Sequence, residues 1–117
     1  MMHVAANVLV VIVAALHVYA LVLEMFLWTK PFGRRTFGLT PEFAQASKSL
    51  AANQGLYNGF LAAGLVYGLA VQSREIVLLF LVFVIVAGAY GAATVNTRIF
   101  FLQAFPAIIA SVLVGWR

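Results

Sequence analysis

The chain has no cysteine, and only 9% of its 117 residues are charged. Without cysteine there is no disulfide framework and no thiolate metal site. The charge content falls far below the roughly 25% of a soluble domain. The hydrophobic share, at 65%, lies well above the usual ~45–50%. A soluble domain this short cannot hide that much apolar surface. Composition therefore predicts lipid as the solvent and the lipid bilayer as a partner. Carboxylates are scarce as well: Glu24, Glu42 and Glu75 are the full set. With His3 and His17 they are too few and too dispersed for a tight metal site. No glycine-rich loop follows a strand, so no phosphate cradle is expected. Ser47, Ser49, Ser73 and Ser111 sit at segment edges without a histidine near, which argues against a serine triad. A lone axial His17 leaves haem open, but the residues name no cofactor.

What the chain does have is four apolar runs, at about residues 4–28, 50–71, 76–95 and 99–116. Each is close to the ~17–25 residues that cross a hydrocarbon core, and a spanning segment must satisfy its own backbone as a helix. The run from Val4 is too long for a signal core and Met1-Met2-His3 lacks a basic start, so no cleavable signal peptide is expected. The long connection is residues 29–49. There Pro31, Gly33 and Gly38 are expected to break helix. Thr40-Pro41-Glu42 then reads as a helix start, with Thr40 as N-cap, and predicts an interfacial lead-in helix over about 41–49 that continues into the second span. Residues 72–75 and 96–98 read as tight turns. Short links make neighbouring helices antiparallel. The expected fold is all-α: an integral membrane up-down bundle of four transmembrane helices forming a single domain over 1–117.

The net charge of +4 reflects seven basic residues, and their positions decide its meaning. They cluster at the ends of apolar runs, which reads as topology and headgroup contact rather than nucleic-acid binding. Lys30, Arg34, Arg35, Lys48 and Arg98 lie on one side, Arg74 and Arg117 on the other. The positive-inside rule places the long loop in the cytoplasm and both termini outside. Trp28 and Trp116 stand at segment ends, where amphipathic aromatics belong.

Polar side chains inside the runs gather at one depth. His17 and Glu24 are seven residues apart and share a face of the first helix, about 10 Å from each other. On the second helix Asn53 and Tyr57 share a face, and Gln54 and Asn58 share the adjacent one. Tyr90 and Thr94 of the third helix and Gln103 of the fourth fall in the same cytoplasmic half. Pro106 removes a backbone donor and is expected to kink the fourth helix, freeing a carbonyl near Leu102. An ionisable carboxyl in a span is a functional candidate by default. Glu24 and His17 are therefore the candidate acid-base residues. Asn53, Gln54, Tyr57, Asn58, Tyr90 and Gln103 are the candidate ligand-binding residues. The plain alternative is interhelical packing, where such a hydrogen bond contributes about 0.6 kcal/mol. For Glu24 it is pairing with Arg34, Arg35 or Arg98. Gly55, Gly59 and Ala63, and likewise Gly64 and Gly68, form small-residue stripes for close helix contact.

The stretches HVYALVLEMFLWTKPFGRRTFGLTPEF, LAANQGLYNGFLAAGL and QAFPAIIA resemble a family of small bacterial integral-membrane proteins, the domain of unknown function number 1304. The likeness covers essentially the whole chain. It implies a four-helix, multi-pass protein of the bacterial cytoplasmic (inner) membrane, and it carries no activity with it. It also implies that Glu24, Asn53, Gln54, Tyr57, Asn58, Gln103 and Pro106 belong to the family's motifs. Small multidrug-resistance transporters share the length, the four helices and a glutamate in the first, but their other motifs are not evident here. That comparison is analogy only.

Three functions stay open at this point. A one-sided polar pocket binding a small lipophilic or polar organic molecule, with Glu24 and His17 supplying acid-base chemistry, fits a polar layer that stops at mid-membrane. A proton-linked transporter or channel would need a homo-oligomer to enclose a path, with the glycine stripes as its contact. An accessory subunit would use every polar group for packing. The first is the reading favoured here.

Overall fold

A computed structural model of the chain describes residues 2–95 and 97–116. Met1, Asn96 of the predicted 96–98 turn, and Arg117 of the charge count lie outside the described residues. The described residues form six α-helices, one π-helical turn and no strand. The helices are α1 (Met2–Met25), α2 (Pro31–Phe37), α3 (Pro41–Ala46), α4 (Lys48–Ala70), α5 (Arg74–Thr94) and α6 (Phe105–Trp116). The π turn, Phe100–Ala104, leads directly into α6.

Among the described residues two helices are long and apolar enough to cross a membrane, His3–Met25 and Arg74–Thr94. The apolar helix Phe101–Trp116 is shorter. α4 has the length, but Asn53, Gln54 and Asn58 dilute it below what composition alone requires of a span, so the second apolar run is less apolar than its leucines suggest.

The long connection is more ordered than its prolines and glycines predict. Pro31 opens α2 instead of breaking helix, because its fixed φ and missing N–H suit the first turn. Gly33 sits inside α2: a Cβ there would collide with the backbone carbonyl of Leu27, so glycine serves close approach and not helix termination. Gly38 does end the helix, in the left-handed region at φ 66°. Thr40 caps α3, its Oγ1 accepting the Phe43 N–H at 3.1 Å. The lead-in does not run unbroken into the next helix. α3 stops at Ala46, and Ser47 stands between it and α4, where the Ser47 hydroxyl donates back to the Phe43 carbonyl at 2.7 Å. The 72–75 turn is also shorter than expected. Ser73 caps α5 by accepting the Ile76 N–H, which takes Arg74 and Glu75 into the helix.

The chain forms two compact units: residues 1–16 with 61–117, and residues 17–60. In the first, the buried positions recur at helical spacing: Ala6, Val10 and Val13 on α1, Val77, Leu81 and Val84 on α5, and Ala107, Ala110 and Val114 on α6. Small residues set the closest approaches. Gly64 lies against the Phe80 ring, Gly68 against Val77, and Gly88 against the Ala104 backbone. The missing donor of Pro106 is accommodated by the π turn just before it. The wider turn is the form in which the expected disruption near Leu102 appears.

In the second unit, α1 and α4 meet through glycine. A Cβ on Gly55 would lie 2.6 Å from Met25 Cγ and 3.3 Å from the Leu21 carbonyl, and one on Gly59 would lie 2.7 Å from Leu21 Cδ1. The loop is tied down by Trp28. Its indole Nε1–H donates to Ser47 Oγ at 3.0 Å, and its ring packs against Phe37 at a 45° tilt, 4.9 Å between centroids. Gly55, Gly59, Gly64 and Gly68 thus make contacts within the chain, while Ala63 is exposed.

Candidate functional site

The close approach at Gly55 brings one polar pair together. α4 turns Ala51, Gly55 and Asn58 inward, at spacings of four and three residues. α1 turns His17 inward, with Glu24 half-buried on the same face. Asn58, 7% exposed, donates from Nδ2 to Glu24 Oε1 at 2.5 Å. The two residues are 34 positions apart, so the bond joins two helices. Asn58 accounts for one carboxyl oxygen of Glu24. That leaves Oε2 with the capacity to accept from, or once protonated donate to, a further group. His17 is 3% exposed and has an interaction of its own.

The other sequence-predicted residues sit differently. Asn53 and Gln54 are exposed on α4, and so is Tyr57, at 54%. Gln54 does not accompany Asn58 inward although the two are one turn apart. At 100° per residue, Gln54 lies on the shoulder of the inward stripe and Asn58 within it. Tyr57 meets Phe60 edge-on, with centroids 5.9 Å apart. Tyr90 belongs to the other unit and is 72% exposed. Gln103 lies in the π turn of that same unit, half-buried, with a partner of its own. The Thr94 hydroxyl donates to the Tyr90 carbonyl at 2.7 Å, within its own helix. No group of three or more His, Asp or Glu side chains that could hold a metal occurs among the described residues.

Two features went unread in the sequence. The Trp28–Ser47 bond spans 19 positions and has no local signal. A recess beside Arg34 and Arg35 depends on the helical form of α2, which the prolines and glycines conceal.

Comparison with known proteins agrees with the family resemblance. A relative in Lactococcus lactis subsp. lactis (strain IL1403), described as uncharacterized protein YpaA, is 34% identical over 113 residues, covering 93% of this chain and 95% of that one. No solved structure matches the chain. The family model described as protein of unknown function (DUF1304) matches residues 11–115. A match of that extent places this chain in the DUF1304 family.

Proposed function

We propose that this is a multi-pass integral membrane protein of four spanning helices that holds a small organic molecule at the Glu24–Asn58 pair. The spans are α1, α4, α5 and the π turn with α6. The observation that carries the reading is the interhelical bond from Asn58 to Glu24, formed where glycine lets α1 and α4 touch. A carboxyl placed in a span is costly, and packing alone would be served as well by an apolar residue.

Exposure supports the lipid setting. Only 28% of the apolar window of α1 and 22% of that of α5 is buried within the chain, whereas the core helix of a soluble protein is mostly buried. The outward faces carry Val8, Val11 and Ile12 on α1 and Leu79, Val82, Phe83 and Val86 on α5. Such faces belong against acyl chains. The loop between α1 and α4 carries Lys30, Arg34 and Arg35, with Lys48 opening α4, and so belongs on the cytoplasmic side of a bacterial inner membrane, with the termini outside.

The ligand engages Glu24 through the oxygen that Asn58 does not use. It presents a hydrogen-bond donor to that oxygen and apolar surface to the surrounding helices. His17, on the same face of α1, is the partner for proton transfer if binding leads to chemistry. A second copy of the chain covers the exposed amides of Asn53 and Gln54 on α4, which hydrocarbon would leave unpaired.

Native mass spectrometry of the gently extracted protein tests the site. We expect a reproducible non-lipid adduct in the wild type, absent in Glu24→Gln, which keeps the side-chain shape and an acceptor for Asn58. An adduct that persists in Glu24→Gln, or a wild type with nothing bound, would count against the pocket.

A further inference from the structure

The connection between α1 and α4 holds a second constellation, away from Glu24. α2 carries Arg34 and Arg35 in its last turn, and a recess of about 280 Å³ beside it is lined by Pro31, Arg34, Arg35, Gly38 and Leu39. Arg34 Nε is shut away from solvent and has no hydrogen-bond partner among the described residues. A buried guanidinium donor left unsatisfied is costly, so the rest of the Arg34 guanidinium and that of Arg35 are what the recess can offer a ligand. The recess is built rather than incidental. Gly33 packs α2 onto the Leu27 carbonyl, Trp28 packs against Phe37, and the Trp28–Ser47 bond ties the loop to the residue before α4. In the same connection Phe32, Phe37 and Phe43 present exposed rings.

We propose that this recess binds the phosphate of an anionic phospholipid from the leaflet that faces the loop. Charge complementarity selects the anion: two adjacent arginines line the recess, and guanidinium N–H groups match phosphate oxygens in pairs. The exposed phenyl rings select the lipid over a soluble phosphate, because they have a place among acyl chains and none in water. The cytoplasmic leaflet supplies anionic lipid. This inference rests on the membrane reading above but not on the Glu24 ligand.

The test is native mass spectrometry of the full chain in a neutral detergent, titrated with phosphatidylglycerol and, in parallel, with phosphatidylcholine. The wild type should bind phosphatidylglycerol in preference. Arg34→Gln and Arg35→Gln should each weaken that binding about fivefold. Lys48→Gln, which removes a loop-side cation outside the recess, should leave it unchanged. Arg34→Lys keeps the charge without the fork and should fall between. Trp28 fluorescence reports whether each variant keeps the loop packed, and Arg35→Gln, on an exposed residue, decides the matter if Arg34→Gln unfolds. Equal binding by wild type and both glutamine variants overturns the site, as does an equal loss in Lys48→Gln. Competition by glycerol 3-phosphate at equal concentration overturns the lipid assignment in favour of a soluble phosphate. Loss of the Glu24-dependent adduct with lipid binding retained would strike only the reading of the preceding section.

Discussion

Single atoms decide the closest contacts in this protein. Gly88 has no room for a methyl group, since a Cβ would lie 2.8 Å from both Cβ and N of Ala104, and backbone cannot step aside. Gly115 faces open space. Gly88→Ala should therefore destabilise the detergent-solubilised protein by about 1–3 kcal/mol. Gly115→Ala, which only lowers the chain entropy lost on folding, should be neutral or stabilising by about 0.5–1 kcal/mol. Unfolding by titration with a denaturing detergent measures both. Asn58→Leu preserves volume but strips Glu24 of its donor, so it should cost about 1–3 kcal/mol in the same assay. It should cost more than Asn53→Leu, whose side chain is exposed. Part of this site was legible in the residues. Glu24 stood out because a carboxyl within an apolar run has a cost that needs a reason. Which of four neighbouring polar residues would meet it was not legible: Asn53, Gln54, Tyr57 and Asn58 are equally polar, and the turn by which α4 presents Asn58 is set by Gly55 packing on Met25 and Leu21.

At the scale of elements, the sequence is most readable where chemistry is local. Thr40 and Pro41 announce α3 by side-chain capping and a fixed φ, and both act over three residues. Thr40→Ala should cost about 1 kcal/mol and raise amide exchange at Phe43, read by hydrogen exchange of the 39–47 segment. α2 was illegible for the opposite reason. Pro31 and Gly33 break helices in most settings, and only the contact of Gly33 with the Leu27 carbonyl, six residues earlier in the chain, makes glycine the required residue there. The π turn is an intermediate case. Pro106 declares that a donor is missing, but whether the chain kinks or widens depends on the Gly88–Ala104 contact that holds the turn in place.

For the molecule as a whole, α4 decides more than any other helix. α1 and α5 are apolar enough to cross a membrane by composition, while α4 carries the amides that build the site. If α4 crosses, Glu24 and Asn58 meet inside the bilayer, and the loop and the α4–α5 turn face opposite compartments. The absence of cysteine makes this directly measurable, because a single introduced thiol is the only one present. Thr36→Cys and Gln72→Cys, both at exposed positions, should be labelled from opposite sides of intact cells by a membrane-impermeant maleimide: Gln72→Cys directly, Thr36→Cys only after the membrane is opened. Labelling of both from the same side would mean that α4 does not cross, and the four-span bundle with its Glu24 site would fall with it.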